Sequence, residues 1–559
     1  MVSSSLRVGC WFVAIGCVLR VSAASAVVTL EVKAYSGQQA PGMAPGVVMD
    51  FHTISNPVVN ASGEVAFLGA VSDPETSEGA RALFAPDANG ELTTALLEPV
   101  PGMPPGTEFL HTDYYPRLDD SGAVAFRGVL TGPEIDPTPV ASGIWRWHAE
   151  TGLEVVVRAG DAVPGAAAGS AFGFDGLLTF PTIGPDGAIG FFAWFGSPES
   201  PYDALGNFVA DENGIAAIGA TGTPVAGVPG AAMNQVYEAA GNLLGQWAFS
   251  AWLAGPGVVE NQNDFASFFW DPVAGLSMGL RRGDPAPQMP QGVVLSTVAS
   301  YLGDTGRLAY VVSLAGPGVH DANDTALYAT NASGAVELLA TEGGPAPGTE
   351  PGTVFSDFQV MSNSVVVNAA GQVAFAGGLV GPAITPANGS GIWVSDPATG
   401  ALALRVRQGD PAPELPGLTL SELWAPILNN RGDLVFKSML EGPGATYGTD
   451  MGIFALERGI TPVKVVRAGD LVSFGPGDMR ALRSFSMLDG RISDAPGIGQ
   501  LTDNGEIVFI ARTWTADAIV VATLPEPQLV ASLVVGSVAI AWLRRRRDPP
   551  SAALALRRV

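Results

Sequence analysis

Apolar and polar positions alternate along this chain in short runs of three to seven residues, each closed by Gly, Pro, Asn or Asp. One such run recurs eight times, about sixty residues apart. Its clearest copy is Asn368-Ala369-Ala370-Gly371-Gln372-Val373-Ala374-Phe375, or N-x-x-G-x-V-A-F. The glycine and the closing aromatic stay in register in every copy: Gly63 with Phe67, Gly122 with Phe126, Gly187 with Phe191, Gly245 with Phe249. The series continues with Gly306 and Tyr310, Gly371 and Phe375, Gly432 and Phe436, and Gly505 and Phe509. A second phrase alternates with the first, as in Arg158-Ala159-Gly160-Asp161, Arg281-Arg282-Gly283-Asp284, Arg407-Gln408-Gly409-Asp410 and Arg467-Ala468-Gly469-Asp470, with weaker forms such as Ala40-Pro41-Gly42. Self-similarity at a fixed period signals a repeat architecture.

The phrase N-x-x-G predicts a tight turn, because Gly supplies a positive φ and Asn bonds its own backbone nearby. In V-A-F, side-chain alternation puts two large residues on one strand face and a small one on the other, which suits a sheet packed closely on both sides. A G-P loop follows, as at Gly255-Pro256-Gly257, Gly316-Pro317-Gly318 and Gly442-Pro443-Gly444. Then come a strand such as 391–394, a turn at 396–400, a strand at 402–407, and a fourth stretch running to the next N-x-x-G. The middle of the chain has no long run of period 3.6, so long helices are not expected there. Composition points the same way, with 71 Gly, 44 Pro and only 14% charged residues.

Four strands per repeat and eight repeats predict an all-β fold, a β-propeller of about eight four-stranded blades. Its rivals fit less well: a β-solenoid has shorter coils, and tandem sandwiches need roughly 100 residues each. The ends predict ring closure. The last repeat stops after 518–523 without its outer strand, and the chain starts with the strand-like run 28–34 followed by its own A-P-G turn. Pairing 28–34 with 518–523 would complete the last blade and leave no open edge.

Residues 1–26 read as a secretory signal peptide, with Arg7, an apolar stretch at 8–19, and Ala24 and Ala26 in a small-x-small cleavage pattern. The rival reading is an uncleaved anchor, but twelve apolar residues are short for a span. The 2 cysteines, Cys10 and Cys17, both lie in this segment, so residues 27–523 hold no disulfide, thiol nucleophile or cysteine metal site. The other end has three parts in order: Pro525-Glu526-Pro527, an uncharged run at 529–543, and Arg544-Arg545-Arg546-Arg547. A hydrophobic segment followed by a cationic block reads as a stop segment with its charges on the cytoplasmic side.

That arrangement resembles the PEP-CTERM sorting signal of Gram-negative bacteria. The resemblance implies recognition and processing by an exosortase-like sorting enzyme in the membrane, after cleavage by signal peptidase at the other end. It also implies surface display or release, often alongside extracellular polysaccharide production. Residues 548–559 extend past the point where such signals usually end, as a short cytoplasmic tail. The rival is an ordinary C-terminal anchor helix. Residues 27–523 resemble the tandem N-x-x-G-x-V-A-F family of bacterial surface proteins with interchangeable anchors, whose motif carries no known chemistry. Four segments are thus expected: 1–26, 27–523, 524–547 and 548–559.

The formal net charge is −25, and eight of the 28 Lys and Arg lie in the two ends against two of the 53 Asp and Glu. Such a surface repels nucleic acid and anionic lipid. The acids of the G-D turns, Asp161, Asp284, Asp410 and Asp470, raise a calcium hypothesis. Each phrase holds one acid and no D-x-D-x-D-G loop is present, so turn stabilisation is the reading taken, with no cofactor or metal assigned. Asn60, Asn242, Asn368 and Asn429 recur with the repeat and are read as structural. His52, His111, His148 and His320 have no ligand spacing, and no G-x-S-x-G or phosphate loop occurs. Trp145, Trp147, Trp194, Trp252 and Trp393 fall in predicted strands, where core packing is the first reading and sugar stacking the second. The expectation is a non-enzymatic surface propeller, structural or binding extracellular polysaccharide. The alternative is a secreted propeller glycoside hydrolase or lyase.

Overall fold

A computed structural model describes residues 28–525, apart from 53, 74–77, 113–114, 133–141, 178–180, 185–186, 198, 243, 359–364, 459–460 and 488–498. The signal peptide, the sorting segment and the tail therefore fall outside the described residues, save Leu524 and Pro525. Among the described residues, no helix is long and apolar enough to cross a membrane.

All the named elements are strands; they form eight antiparallel blade sheets arranged in a ring, a β-propeller, and one separate two-stranded hairpin. Blade 6 typifies the unit. Its inner edge is Val354–Asp357 and Val365–Val367, both paired with Val373–Val380, which pairs with Ser390–Ser395 and then Leu402–Arg407. In most blades the inner strand is broken in this way, where the repeat pattern predicts one stretch. In blades 1, 2, 3 and 7 a proline, Pro57, Pro116, Pro181 or Pro426, directly precedes the second piece and has no N–H to pair with the next strand. Blade 5 lacks such a proline, and its inner strand Val294–Leu302 is continuous.

The repeat motif builds the inner hairpin of each blade. Its glycine has φ between 69° and 86° in all eight copies, a conformation that costs a side-chain-bearing residue. The closing aromatic lies opposite an aromatic of the next strand in seven of eight blades, as in Phe67↔Phe84, Tyr310↔Tyr328 and Phe375↔Trp393. Several of these pairs stack, with Phe67 and Phe84 4.8 Å apart between ring centroids. The small residue of the motif faces the other way. Ala66 packs with Leu68 against Phe126 and Trp145 of blade 2. Each core thus lies between two blades, so no blade buries its apolar faces alone.

The ring closes as expected. Thr29–Tyr35 is the outermost strand of blade 8 and pairs antiparallel with Asp517–Thr523, with Thr29 opposite Thr523 and Tyr35 opposite Ala518. The core at this seam joins Val508, Ile510, Ile519 and Val521 of blade 8 to Phe67 and Phe84 of blade 1. One element departs from the repeat. Between blades 7 and 8, where other blades carry an A-P-G turn, the chain forms a hairpin of Leu471–Gly475 and Asp478–Ala481.

Candidate functional site

Antiparallel meanders send alternate turns to opposite faces. The eight N-x-x-G turns therefore crowd around one mouth of the central channel, while the G-P loops and A-P-G turns lie on the other face. The recurring asparagines build this mouth. The Asn429 side-chain oxygen accepts from the Arg431 and Asp433 backbone N–H groups, at 3.1 and 2.8 Å. Its amide nitrogen donates to the carbonyl of Thr502, the matching residue of the next blade, at 2.9 Å. Asn60, Asn242 and Asn368 make the same inter-blade bond to Asp119, Gly303 and Asn429. Asparagine suits the position because it accepts and donates at once, closing its own turn and latching the neighbour.

The next residue of each turn faces a different task. It is Ala61, Asp120, Asp304, Ala369, Asn430 or Asp503 at the described positions. Where it is Asp or Asn, its oxygen can take a backbone N–H from the preceding blade: Asp120 from Ala61, Asn430 from Ala369 and Asp503 from Asn430. The Asn430 amide nitrogen then donates to Asp304 at 3.0 Å and to Asp503 at 3.1 Å, joining blades 5, 7 and 8. Around these groups lies a cavity of about 650 Å³, lined also by Arg146 and His148 of blade 2. Arg146 is paired to Glu154 at 2.9 Å, and the His148 ring lies 3.1 Å from the Ser121 carbonyl.

Asp304 is the unusual member. Only 7% of it is exposed, and its Oδ1 has no hydrogen-bond partner. Burial pushes its carboxyl up to about 6, the Asn430 hydrogen bond opposes this, and the Asp503 charge adds to it. Near neutral pH such a group is mostly an acceptor, and just below it a donor as well. That range suits a ligand hydroxyl, which can play either part.

The other residues singled out in the sequence have local roles. Asp161, Asp410 and Asp470 each accept from the backbone N–H three residues earlier, at 2.8, 2.7 and 2.9 Å, and Asp284 bonds Arg281 in the same way. Among the described residues, no group of three or more His, Asp or Glu side chains is placed to hold a metal ion. His52 is exposed and pairs with Asp50, and His320 sits in a loop beside Asn323. His111 is exposed on the strand Glu108–Thr112, where partial desolvation, with the charges of Arg127 and Arg81, lowers its pKa. Only His148 reaches the mouth. Trp145, Trp147 and Trp393 are buried in the core. Trp194 meets Tyr202 edge-on, and Trp252 packs against Phe265 beneath Arg282. Sequence reasoning missed Asp120, Asp304, Asn430 and Asp503, although one signal was present: an Asp or Asn at the same motif position in four copies.

Sheets and mouth together define an eight-bladed propeller, closed by its N-terminal strand, with a cavity at one end of its channel that Asp120, Asp304, Asn430 and Asp503 help to line. The chain belongs to the Family of unknown function (DUF7453), whose model matches residues 25–97 and 96–531. A search of curated protein sequences finds no match. Among solved structures, the chain is similar to the β-propeller domain of the Trilobed protease from Pyrococcus furiosus, at 10% identity and a TM-score of 0.36, covering 75% of this chain and 96% of that one. It is similar to polysaccharide lyase Uly1 at 9% identity and a TM-score of 0.37, covering 77% and 94%. It is also similar to the periplasmic gluconolactonase PpgL of Pseudomonas aeruginosa at 16% identity and a TM-score of 0.26, covering 67% and 94%. The blade count rests on this chain's own strand pairing.

Proposed function

We propose that this protein is an exported propeller, surface-anchored or released into the matrix, that binds extracellular polysaccharide at its N-x-x-G mouth without cleaving it. The observation that carries this is the buried, unpartnered Oδ1 of Asp304 at the edge of a cavity of about 650 Å³. A buried acceptor without a partner is costly and calls for a ligand donor. Binding is favoured over turnover because the neighbouring carboxylates are engaged by the ring itself. Both oxygens of Asp503 and one of Asp120 take hydrogen bonds from blade turns. Glycoside hydrolysis needs two carboxyl groups free to act on either side of one bond. Export rests on the signal-peptide pattern of 1–26. Anchoring rests on the resemblance of 524–547 to a PEP-CTERM signal, with signal peptidase and an exosortase-like enzyme as its processing partners. One observation favours the alternative of a polysaccharide hydrolase or lyase: the raised carboxyl of Asp304 has the character of a general acid.

A single experiment separates the two. The protein is incubated with polysaccharide from its host, and retention and new chain ends are measured together. Retention without new ends, weakened in Asp304→Asn, supports the proposal. New ends that vanish in Asp304→Asn establish the enzyme instead, and the absence of both retention and new ends refutes both.

A further inference from the structure

The hairpin that breaks the repeat carries a second surface, on the face opposite the mouth. Its inner side is pinned: Phe474 meets Tyr35 at 5.3 Å, and Arg480 lies over both rings while pairing with Asp478 at 2.7 Å. Its outer side has no cover. Leu471 and Met479 are 60% and 53% exposed, and Leu471 lies opposite Ala481 in the pairing. Two residues on, Arg483 bonds the Arg512 carbonyl through its backbone and extends its guanidinium over Trp514, 4.7 Å from the ring centroid. Trp514 is 78% exposed, the only tryptophan so placed among the described residues. Arg480 reaches the same loop, 3.5 Å from Thr515.

We infer that Arg483 and Trp514 form a binding site for an acidic saccharide, a sugar chain bearing carboxylates. The reasons are chemical. An exposed indole offers a flat apolar face that suits the CH-rich side of a sugar ring. The guanidinium stacked on it is held in place, and no carboxylate of the described residues pairs with it, so its donors are free for a bidentate carboxylate contact. The local field permits an anion. Residues 431–512 hold nine Lys and Arg against ten Asp and Glu, whereas the chain as a whole is −25. The acidic excess therefore lies in the earlier blades, and an anionic chain meets least repulsion here. Among the described residues, no other interval of the repeat carries a hairpin at this place, as expected for a single site rather than a recurring structural part. This site is independent of the mouth.

The test measures binding of the full-length protein, held in detergent, to oligogalacturonate and to neutral dextran oligomers by calorimetry. Oligogalacturonate should bind at least tenfold more tightly, and the binding should weaken as salt rises. Trp514→Ala and Arg483→Gln should each lose at least tenfold, with the thermal midpoint unchanged because both side chains are exposed. Arg483→Lys should recover only part of the loss, since an ammonium cannot make the planar contact. Equal binding of dextran, wild-type affinity in both Trp514→Ala and Arg483→Gln, or no binding of oligogalacturonate would overturn the inference. Equal binding to phosphatidylglycerol vesicles through the same two residues would also overturn it, as plain charge attraction.

Discussion

Replacing Asp304 with Asn should stabilise the protein at neutral pH. In the folded chain this carboxyl is held at about 6, against an ordinary value of 3.8, chiefly by burial. A raised carboxyl means that the folded state binds the proton more tightly than the unfolded one. Its contribution to stability is therefore fully present below about pH 4 and is lost as pH rises through about 6. At 1.36 kcal/mol per unit, that gap is about 3 kcal/mol of destabilisation at pH 7.5. Asparagine keeps an oxygen to accept from Asn430 and removes the buried charge and its repulsion with Asp503. Urea denaturation of wild type and Asp304→Asn at pH 4 and pH 7.5 measures the difference, and the other carboxyl groups, common to both, largely cancel. The variant should gain about 3 kcal/mol at pH 7.5 and under about 1 kcal/mol at pH 4. A variant no more stable at pH 7.5, or a gain independent of pH, refutes the reasoning. If the same variant also loses polysaccharide retention, stability and binding oppose each other at one residue, as expected of a functional group kept at a structural cost.

Three further outcomes follow from the ring. Asn368→Ala leaves the part-buried Gln372 N–H without its partner and removes one of two donors from the Asn429 carbonyl, which keeps the Gly432 N–H, so it should cost about 1–3 kcal/mol in chemical denaturation; a loss under about 0.5 kcal/mol would show that the inter-blade latch contributes little. Deleting residues 28–35 bares the edge of Asp517–Thr523, so size-exclusion chromatography should show self-association or loss of the folded species, and a truncated monomer of wild-type stability would refute closure by the N-terminal strand. Intact mass of the protein from its native host should lack residues 1–26 and the segment after about Pro525, and a mass retaining the chain through Val559 would refute the sorting-signal proposal.

The recurring residues made the fold legible. Gly63 and its seven equivalents adopt the positive φ their turn demands, and the missing outer strand of blade 8 is supplied by Thr29–Tyr35, against 28–34 read from the sequence. The broken inner strands of blades 1, 2, 3 and 7 were less visible, because Pro57, Pro116, Pro181 and Pro426 lie outside the repeated phrases and act only through a missing ladder bond; those of blades 4 and 6 have no such proline. The sites were hidden for the opposite reason. A repeat is found by what its copies share, so Asp304, Asn430 and Asp503 counted as variation within N-x-x-G. Their meeting depends on ring closure: Asp304 and Asn430 bond across two blades, a contact no local pattern records. Trp514 was likewise passed over, since its partner Arg483 lies beyond an insertion. In a closed ring each copy does the same structural work, and a residue needed for that work must recur. A polar or aromatic side chain that departs from its equivalents, as Asp304 does from Ala61 and Ala369, is released from that requirement. Of the positions where this chain disagrees with itself, Asp120, Asn430 and Asp503 are met by a neighbouring blade, whereas Asp304 Oδ1 is not, and that difference is why the proposed ligand contact falls on Asp304.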